Sequence, residues 1–123
     1  MGCDVAGRPR LTDVHRSDIW LVDLGEPVGH EQGGRRPGVV VSNDIQNAGP
    51  SGIVTIVPVT RTRRSIPTHI ELDPDLTGLD ELSYATCEHV KSVSTDRLIA
   101  RLGKVGVGAT FAIGRALRIL LDV

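Results

Sequence analysis

The sequence predicts a small α+β domain, in which a strongly bent antiparallel sheet or barrel carries one or more helices. Two observations indicate this class. Many short apolar runs, rich in β-branched residues and separated by glycine- and proline-rich turns, precede a single helical segment at the end of the chain. The 123 residues, of which 40% are hydrophobic and 24% charged, suffice for one domain with one core.

Three strands are expected in the first half of the chain, at residues 18–24, 37–42 and 53–59. Turn-rich segments over 25–34 and 43–52 separate them. The run 53–59 is apolar on both faces, which is typical of a buried strand. Because Pro58 has no N–H to donate to a ladder, we expect an edge or a bulge near it.

Shorter elements are expected in the second half: a basic loop at 61–67, a short strand at 69–72, an acidic turn region at 73–81, a buried strand with a bend within 83–93, a helical turn at 95–98, a strand at 99–104 and a helix at 110–123. The helix is predicted because one stripe is apolar and comprises Phe111, Ile113, Ala116, Leu117, Leu120 and Leu121. We expect the stripe to cover the core, and a contact between copies of the chain is the alternative.

Residues 1–16 show no hydrophobic period and are expected to form a flexible arm before a single domain at 17–123.

Composition excludes several classes of function. The formal net charge of −1 provides no global positive field for nucleic acid, so such a site has to be a local patch. The three aromatic residues are too few for a surface that stacks several RNA bases. Cys3 and Cys87 form neither a C-x-x-C pair nor a disulfide framework, which indicates no zinc site and favours a reducing cytosol. We expect no signal peptide, transmembrane helix, metal or cofactor.

The charges are segregated along the chain. Residues 45–70 contain no acid but include Arg61, Arg63 and Arg64, whereas 71–88 contain acids and no base. Arg35 and Arg36 stand together at the end of the glycine-rich loop. Arginine suits phosphate because its planar guanidinium donates two parallel hydrogen bonds. The two basic loops therefore either converge on an anion site or are simply solvated.

Several motifs resemble the MazF/PemK toxin family. The segment GHEQGGRRPGVVVSND at 29–44 is similar to the signature loop and strand of that family, and IVPVT at 56–60 is similar to its V-x-P-x-T strand end. The opening strand 18–24 and the segment CEHVKSV at 87–93 also match. The resemblance covers about residues 16–122, and the combination is more specific than any single motif.

The resemblance implies an SH3-like β-barrel of the CcdB/PemK type with a C-terminal helix, forming a homodimer in the cytoplasm. It implies metal-independent, sequence-specific cleavage of single-stranded RNA, in which the 2′-hydroxyl attacks the adjacent phosphorus. The products are a 2′,3′-cyclic phosphate and a 5′-hydroxyl. The implied partner is a MazE-like antitoxin whose disordered tail covers the active groove.

The resemblance also assigns roles to individual residues. Arg36 matches the catalytic arginine and Thr60 the active-site threonine, while Glu31 matches an acidic residue of the signature loop that orients Arg36 or assists proton transfer. The residues expected to contact RNA are Gln32, Arg35, Arg61, Arg63, Arg64, His89 and Lys91. His89 stands where many relatives carry glutamine, so the cleavage motif is not transferable from them.

Two other classes of function remain open from the sequence. A toxin of the CcdB type has the same fold and poisons DNA gyrase without cutting RNA. A structural or regulatory module that binds nucleic acid or a peptide is the other alternative. The pairing of Arg36 with Thr60 favours the nuclease, because a gyrase poison has no need of an arginine facing a strand-end hydroxyl.

Overall fold

The computed structural model describes residues 13–123, which form seven strands and three α-helices. The strands are β1 (Asp18–Asp23), β2 (Arg35–Val40), β3 (Ile53–Thr60), β4 (His69–Leu72), β5 (Ser83–Thr86), β6 (Lys91–Ser94) and β7 (Leu98–Lys104). The helices are α1 (Asp44–Ala48), α2 (Pro74–Thr77) and α3 (Val107–Leu121), and 3₁₀ turns span Cys87–His89 and Thr95–Arg97. The expected class, an antiparallel sheet followed by a C-terminal helix, is confirmed.

The strands form one antiparallel sheet in the order β4-β5-β3-β2-β1-β7, with β6 beside β3. Along its length β3 changes its partner, because residues from Ile53 to Ile56 pair with β6 whereas Val59 and Thr60 pair with β5. The change falls at Pro58, where the sequence predicted an irregularity. Within the described chain no pairing joins β4 to β7, so the sheet is open and resembles a barrel only loosely.

Both faces of the sheet are buried. Val54 and Ile56 of β3 belong to one core cluster, together with Trp20 of β1. Val57 and Val59 point to the opposite face and pack in a second cluster, which α3 covers. The period-2 alternation of a strand produces this division, as the sequence predicted for the run 53–59.

The apolar stripe predicted for the last helix is divided between core and surface. Ile113 is buried, and Ala116 and Leu117 pack against the second cluster. In contrast, Phe111 is 77% exposed, and Leu120 and Leu121 are exposed as well. The prediction that all six residues cover the core was therefore wrong, because 100° per residue turns Phe111 well away from Ile113. The helix also begins earlier than expected, at Val107 rather than residue 110.

Two short helices lie where the sequence analysis expected only turns. In α1 the side chain of Asn43 accepts a hydrogen bond from the Gln46 N–H. In α2 the side chain of Asp73 accepts from the Asp75 N–H, and Pro74 occupies the first turn. Such caps satisfy N–H groups that a helix start leaves unpaired, so a single helical turn forms without a long apolar period.

The packed part of the chain begins before Ser17. Val14 is 1% exposed and belongs to the first core cluster, and the backbone N–H of Arg16 donates to the Asp44 carboxylate at 2.7 Å. The rest of the predicted arm, residues 1–12, lies outside the described residues. Among residues 13–123 there is no helix of the length and apolarity that a membrane crossing requires.

Candidate active site

The sheet brings Arg36 and Thr60 to adjacent strands. The ladder between β2 and β3 ends at the pair Gly38–Pro58, and continuing the same register by two residues along both strands would set Arg36 opposite Thr60. Residues directly opposite each other in an antiparallel pair project from the same face. We therefore expect the arginine and the threonine that the sequence singled out, which lie far apart in the chain, to lie on one face of the sheet.

Arg36 is oriented by the loop between β1 and β2. Its side chain is half-buried, and its Nε–H donates to the carbonyl oxygen of Gly33 at 3.1 Å. Only glycine fits at position 33, because a Cβ there would come within 2.5 Å of the Pro27 ring. Since this contact uses Nε, the two terminal nitrogens of the guanidinium can form a bidentate pair with a phosphate.

Thr60 ends β3 with a hydroxyl that is half-buried. Its Oγ1 accepts a hydrogen bond from the Thr62 N–H at 3.2 Å, which leaves the hydroxyl proton for a second acceptor. Thr60 also lines a pocket of about 300 Å³, and Arg61 at that pocket pairs with Glu81 at 3.3 Å. Both side chains of this ion pair are largely exposed, so it contributes little to stability.

A second, polar pocket adjoins the Arg36–Thr60 pair. It has a volume of about 180 Å³ and is lined by Glu31, Gln32, Pro58, Glu88, His89, Val90 and Lys91. We call it the His89 pocket. Because Pro58 precedes Thr60 by two residues in β3, its Cα lies about 7 Å from that of Thr60. The structure thus gathers four of the predicted site residues, Glu31, Gln32, His89 and Lys91, in one pocket near Thr60.

The wall of the His89 pocket forms where the ladder is interrupted. After Thr86 the chain leaves β5, makes the 3₁₀ turn Cys87–His89 and re-enters the sheet as β6. This break lies alongside Pro58 of β3, between the part of β3 that pairs with β5 and the part that pairs with β6. Glu88 and His89 therefore lie in a turn between β5 and β6 instead of continuing a strand.

Two residues of this region were not assigned a role by the sequence analysis. Glu88 belongs to the acidic stretch 71–88, and His69 begins the short strand expected at 69–72. In the structure the His69 Nε2 lies 2.6 Å from Glu88 Oε2, and the His89 Nε2 lies 3.8 Å from the same oxygen. No sequence spacing signals this contact, because the pairing of β4 with β5 creates it.

The hydrogen bonds around Glu88 determine its charge state. Burial alone raises the pKa of the Glu88 carboxyl, but hydrogen bonds from His69, from the backbone and from Thr68 outweigh burial and lower that pKa. Glu88 is therefore an ionised acceptor near neutral pH. The adjacent Cys87 is buried, and burial together with the Glu88 charge raises the pKa of its thiol to about 11, as suits an inert core residue.

The remaining predicted residues lie in or around this region with fewer contacts. The Oε1 atom of Glu31 accepts a hydrogen bond from the Val28 N–H at 3.1 Å, so the carboxylate is held within its loop. Arg35 lies opposite Asp23 and, by strand alternation, on the other face of β2 from Arg36. Arg63 and Arg64 are exposed in the loop that follows β3. The roles of these residues stay predictions.

Within residues 13–123 no three histidine, cysteine, aspartate or glutamate side chains are grouped so that they could hold a metal ion.

Comparisons with known proteins point in one direction. The family described as PemK-like, MazF-like toxin of type II toxin–antitoxin system matches residues 15–121. The chain is 36% identical over 115 residues to endoribonuclease MazF9 of Mycobacterium tuberculosis, which covers 89% of this chain and 98% of that protein. A mycobacterial endoribonuclease solved with its cognate antitoxin has a TM-score of 0.76 at 28% identity, covering 89% of this chain and 96% of the other.

A crystal structure of MazF from Deinococcus radiodurans supports the fold, with a TM-score of 0.79 at 24% identity and coverage of 89% and 97%. The family match spans nearly all of the described residues, including β1 to β7 and α3. The chain therefore belongs to the PemK-like, MazF-like toxin family of type II toxin–antitoxin systems.

Proposed function

We propose that this chain is a toxin endoribonuclease that cuts single-stranded RNA at specific sequences without a metal ion. The 2′-hydroxyl attacks the adjacent phosphorus, the bond to the 5′-oxygen breaks, and the products are a 2′,3′-cyclic phosphate and a 5′-hydroxyl. The observation that carries this proposal is the register of β2 with β3, which, continued by two residues, sets Arg36 and Thr60 on one face of the sheet near a polar pocket. The relatives named as endoribonucleases support it.

The three catalytic groups have distinct roles in this proposal. The positive guanidinium of Arg36 stabilises the charge that develops on the phosphorane oxygens. The Thr60 hydroxyl donates a hydrogen bond to the same phosphate. Glu31 takes the proton of the 2′-hydroxyl or orients Arg36, because its carboxylate is the acidic group of the adjoining loop.

The polar pocket and the basic loops bind the RNA. Gln32, His89 and Lys91 line the His89 pocket and can contact base edges or the backbone of one nucleotide. The arginines outside the pocket contact backbone phosphates and add affinity rather than selectivity; these are Arg35, Arg61, Arg63 and Arg64. With so few aromatic rings in the chain, selectivity comes from hydrogen bonds rather than from base stacking.

Two protein partners belong to the proposal. Phe111, Arg115 and Ile119 lie four residues apart on one face of α3, and the two apolar side chains are 77% and 72% exposed. Large apolar side chains clustered on a surface favour a contact with another chain, and we assign a homodimer. The second partner is a MazE-like antitoxin, which we expect to cover the active groove; the mycobacterial relative was solved in complex with its cognate antitoxin. We place the protein in the cytoplasm, where the thiol of Cys87 stays reduced.

The test is cleavage of a long single-stranded RNA by the purified chain in EDTA. We expect discrete cuts with 5′-hydroxyl ends, and we expect the Arg36→Ala variant to cut about 1,000-fold more slowly. Lys104→Ala is the control, because Lys104 is an exposed basic residue of β7 and lies outside both the site and the exposed face of α3. If a folded chain freed of antitoxin cuts no RNA in a diverse set, the nuclease proposal is wrong, and inhibition of gyrase is the next activity to assay.

A further inference from the structure

His69 lies behind the His89 pocket and is almost completely buried. Its side chain is 3% exposed, and its Nε2 lies 2.6 Å from Oε2 of Glu88. Its other ring nitrogen, Nδ1, is buried with no hydrogen-bond partner among residues 13–123. A proton on Nδ1 would bury a donor without an acceptor, so the ring carries its proton on Nε2 and donates it to Glu88.

The backbone fixes His69 relative to Glu88. His69 lies opposite Thr86 in the pairing of β4 with β5, and its N–H donates to the Ile66 carbonyl at 3.0 Å. The Cys87 N–H donates to the Thr68 carbonyl at 2.9 Å, which ties the 3₁₀ turn to the same strand. The contact between the imidazole and the carboxylate therefore joins two anchored segments and is not a chance meeting of flexible side chains.

Glu88 extends this contact to the pocket surface. Its carboxylate lines the His89 pocket, its side chain is 30% exposed, and Oε2 lies 3.8 Å from His89 Nε2. An ionised carboxylate only accepts hydrogen bonds. Among nucleobase groups, the amino groups of cytosine, adenine and guanine and the imino groups of guanine and uracil can donate to it.

We propose that His69 is a positioning residue for nucleotide selection: it holds the Glu88 carboxylate on the wall of the His89 pocket, as an acceptor for the N–H group of one base of the RNA. This inference rests on the proposed function, since it assumes that RNA occupies the pocket. His69 itself does not touch the RNA, because its ring is buried behind Glu88. The contact acts on the choice of base and not on the reacting phosphate, which lies at Arg36 and Thr60.

Three substitutions separate this role from a merely structural one. His69→Leu removes the donor and keeps an apolar side chain in the buried site. His69→Gln keeps an N–H at nearly the distance of Nε2 from the backbone. Glu88→Gln keeps the shape of the acceptor but removes its charge and adds a donor. The double variant His69→Leu/Glu88→Gln then reports whether the two residues act through one contact.

The readout is the base preference at each position around the cut in a random RNA pool. Binding of the same pool is measured with each variant in an Arg36→Ala background, where no cleavage is needed. Losing a hydrogen bond to a charged group costs about tenfold or more, so we expect His69→Leu and Glu88→Gln each to reduce discrimination at one position about tenfold. His69→Gln should keep most of it, and the double variant should match Glu88→Gln alone.

The opposite results would overturn the inference. One such result is a His69→Leu variant that keeps the wild-type base preference, or that loses the same rate on every sequence. Another is a double variant in which the effects of His69→Leu and Glu88→Gln add in full. A third is a folded His69→Gln variant that shows the same base preference as His69→Leu. If the wild-type chain cuts no RNA, the proposed function fails. The binding measurement with the random RNA pool then tests the inference separately. A base preference in binding that His69→Leu abolishes supports the inference, and the lack of any base preference in binding refutes it.

Discussion

Replacing Arg36 with lysine tests whether the shape of the guanidinium matters beyond its charge. Lysine keeps the positive charge at this half-buried position of β2. It cannot reproduce the Nε–H bond to the Gly33 carbonyl at 3.1 Å together with a planar, two-point contact to a phosphate. The variant therefore isolates the loss of orientation from the loss of charge.

The magnitude follows from what the side chain contributes. Removing one preorganised donor from a transition-state oxyanion slows turnover about 100- to 1,000-fold, or about 3–4 kcal/mol. Lysine retains the charge but loses both the loop contact and one of the two phosphate bonds. We expect Arg36→Lys at the lower end, about 100-fold, and Arg36→Ala at the upper end, about 1,000-fold.

The assay is single-turnover cleavage of a fluorescent RNA that contains a mapped site, at saturating protein and in EDTA. Urea unfolding of each variant shows whether the fold is kept. Arg35→Lys is the comparison, because Arg35 lies on the other face of β2 and a phosphate contact there tolerates a point charge. We expect it to change the rate less than about threefold. A lysine at position 36 with nearly wild-type turnover, or equal losses at positions 35 and 36, would refute the reasoning.

Three further outcomes are expected. Thr60→Val, which removes the hydroxyl at similar volume, should lower single-turnover cleavage about 10- to 100-fold, whereas Thr60→Ser should keep most of the rate. Gly103→Ala should lower the free energy of unfolding in urea by about 1–3 kcal/mol, because its Cβ would lie 1.8 Å from the carbonyl oxygen of buried Thr77; an unchanged urea midpoint would contradict this. The pKa of Glu88 is lowered in the folded state, so its ionised form stabilises the fold above about pH 4.3 and this contribution is lost as pH falls through the folded-state pKa. Urea unfolding should therefore show a stability difference between wild type and Glu88→Gln that shrinks below about pH 4, and a difference independent of pH would argue against the His69 contact.

The strands were predictable because local pattern and burial agree in them. β3 is the clearest case, since Val54 and Ile56 face one core cluster while Val57 and Val59 face the other. The effect of Pro58 was also predictable, because a missing N–H interrupts a ladder in any sheet. The short helices α1 and α2 were not, because one capped turn has no period to detect.

The candidate site was predictable only in part. Arg36 and Thr60 were predicted through motifs, and the register of β2 with β3, continued by two residues, sets them on one face of the sheet. His69 and Glu88 were missed because their contact depends on the pairing of β4 with β5 and on the 3₁₀ turn at Cys87–His89. Neither residue stands in a spacing that signals such a contact.

The amino-acid sequence by itself determined the class of fold, the strand periods, the lack of a global positive charge and the residues that carry the family resemblance. These properties depend on neighbours within a few positions or on composition, so they are readable without coordinates. Tertiary structure alone decided which face of β2 carries Arg36, which side of α3 is exposed and which carboxylate meets His69. Those outcomes depend on strand register and packing, where a shift of one residue sends a side chain to the opposite face.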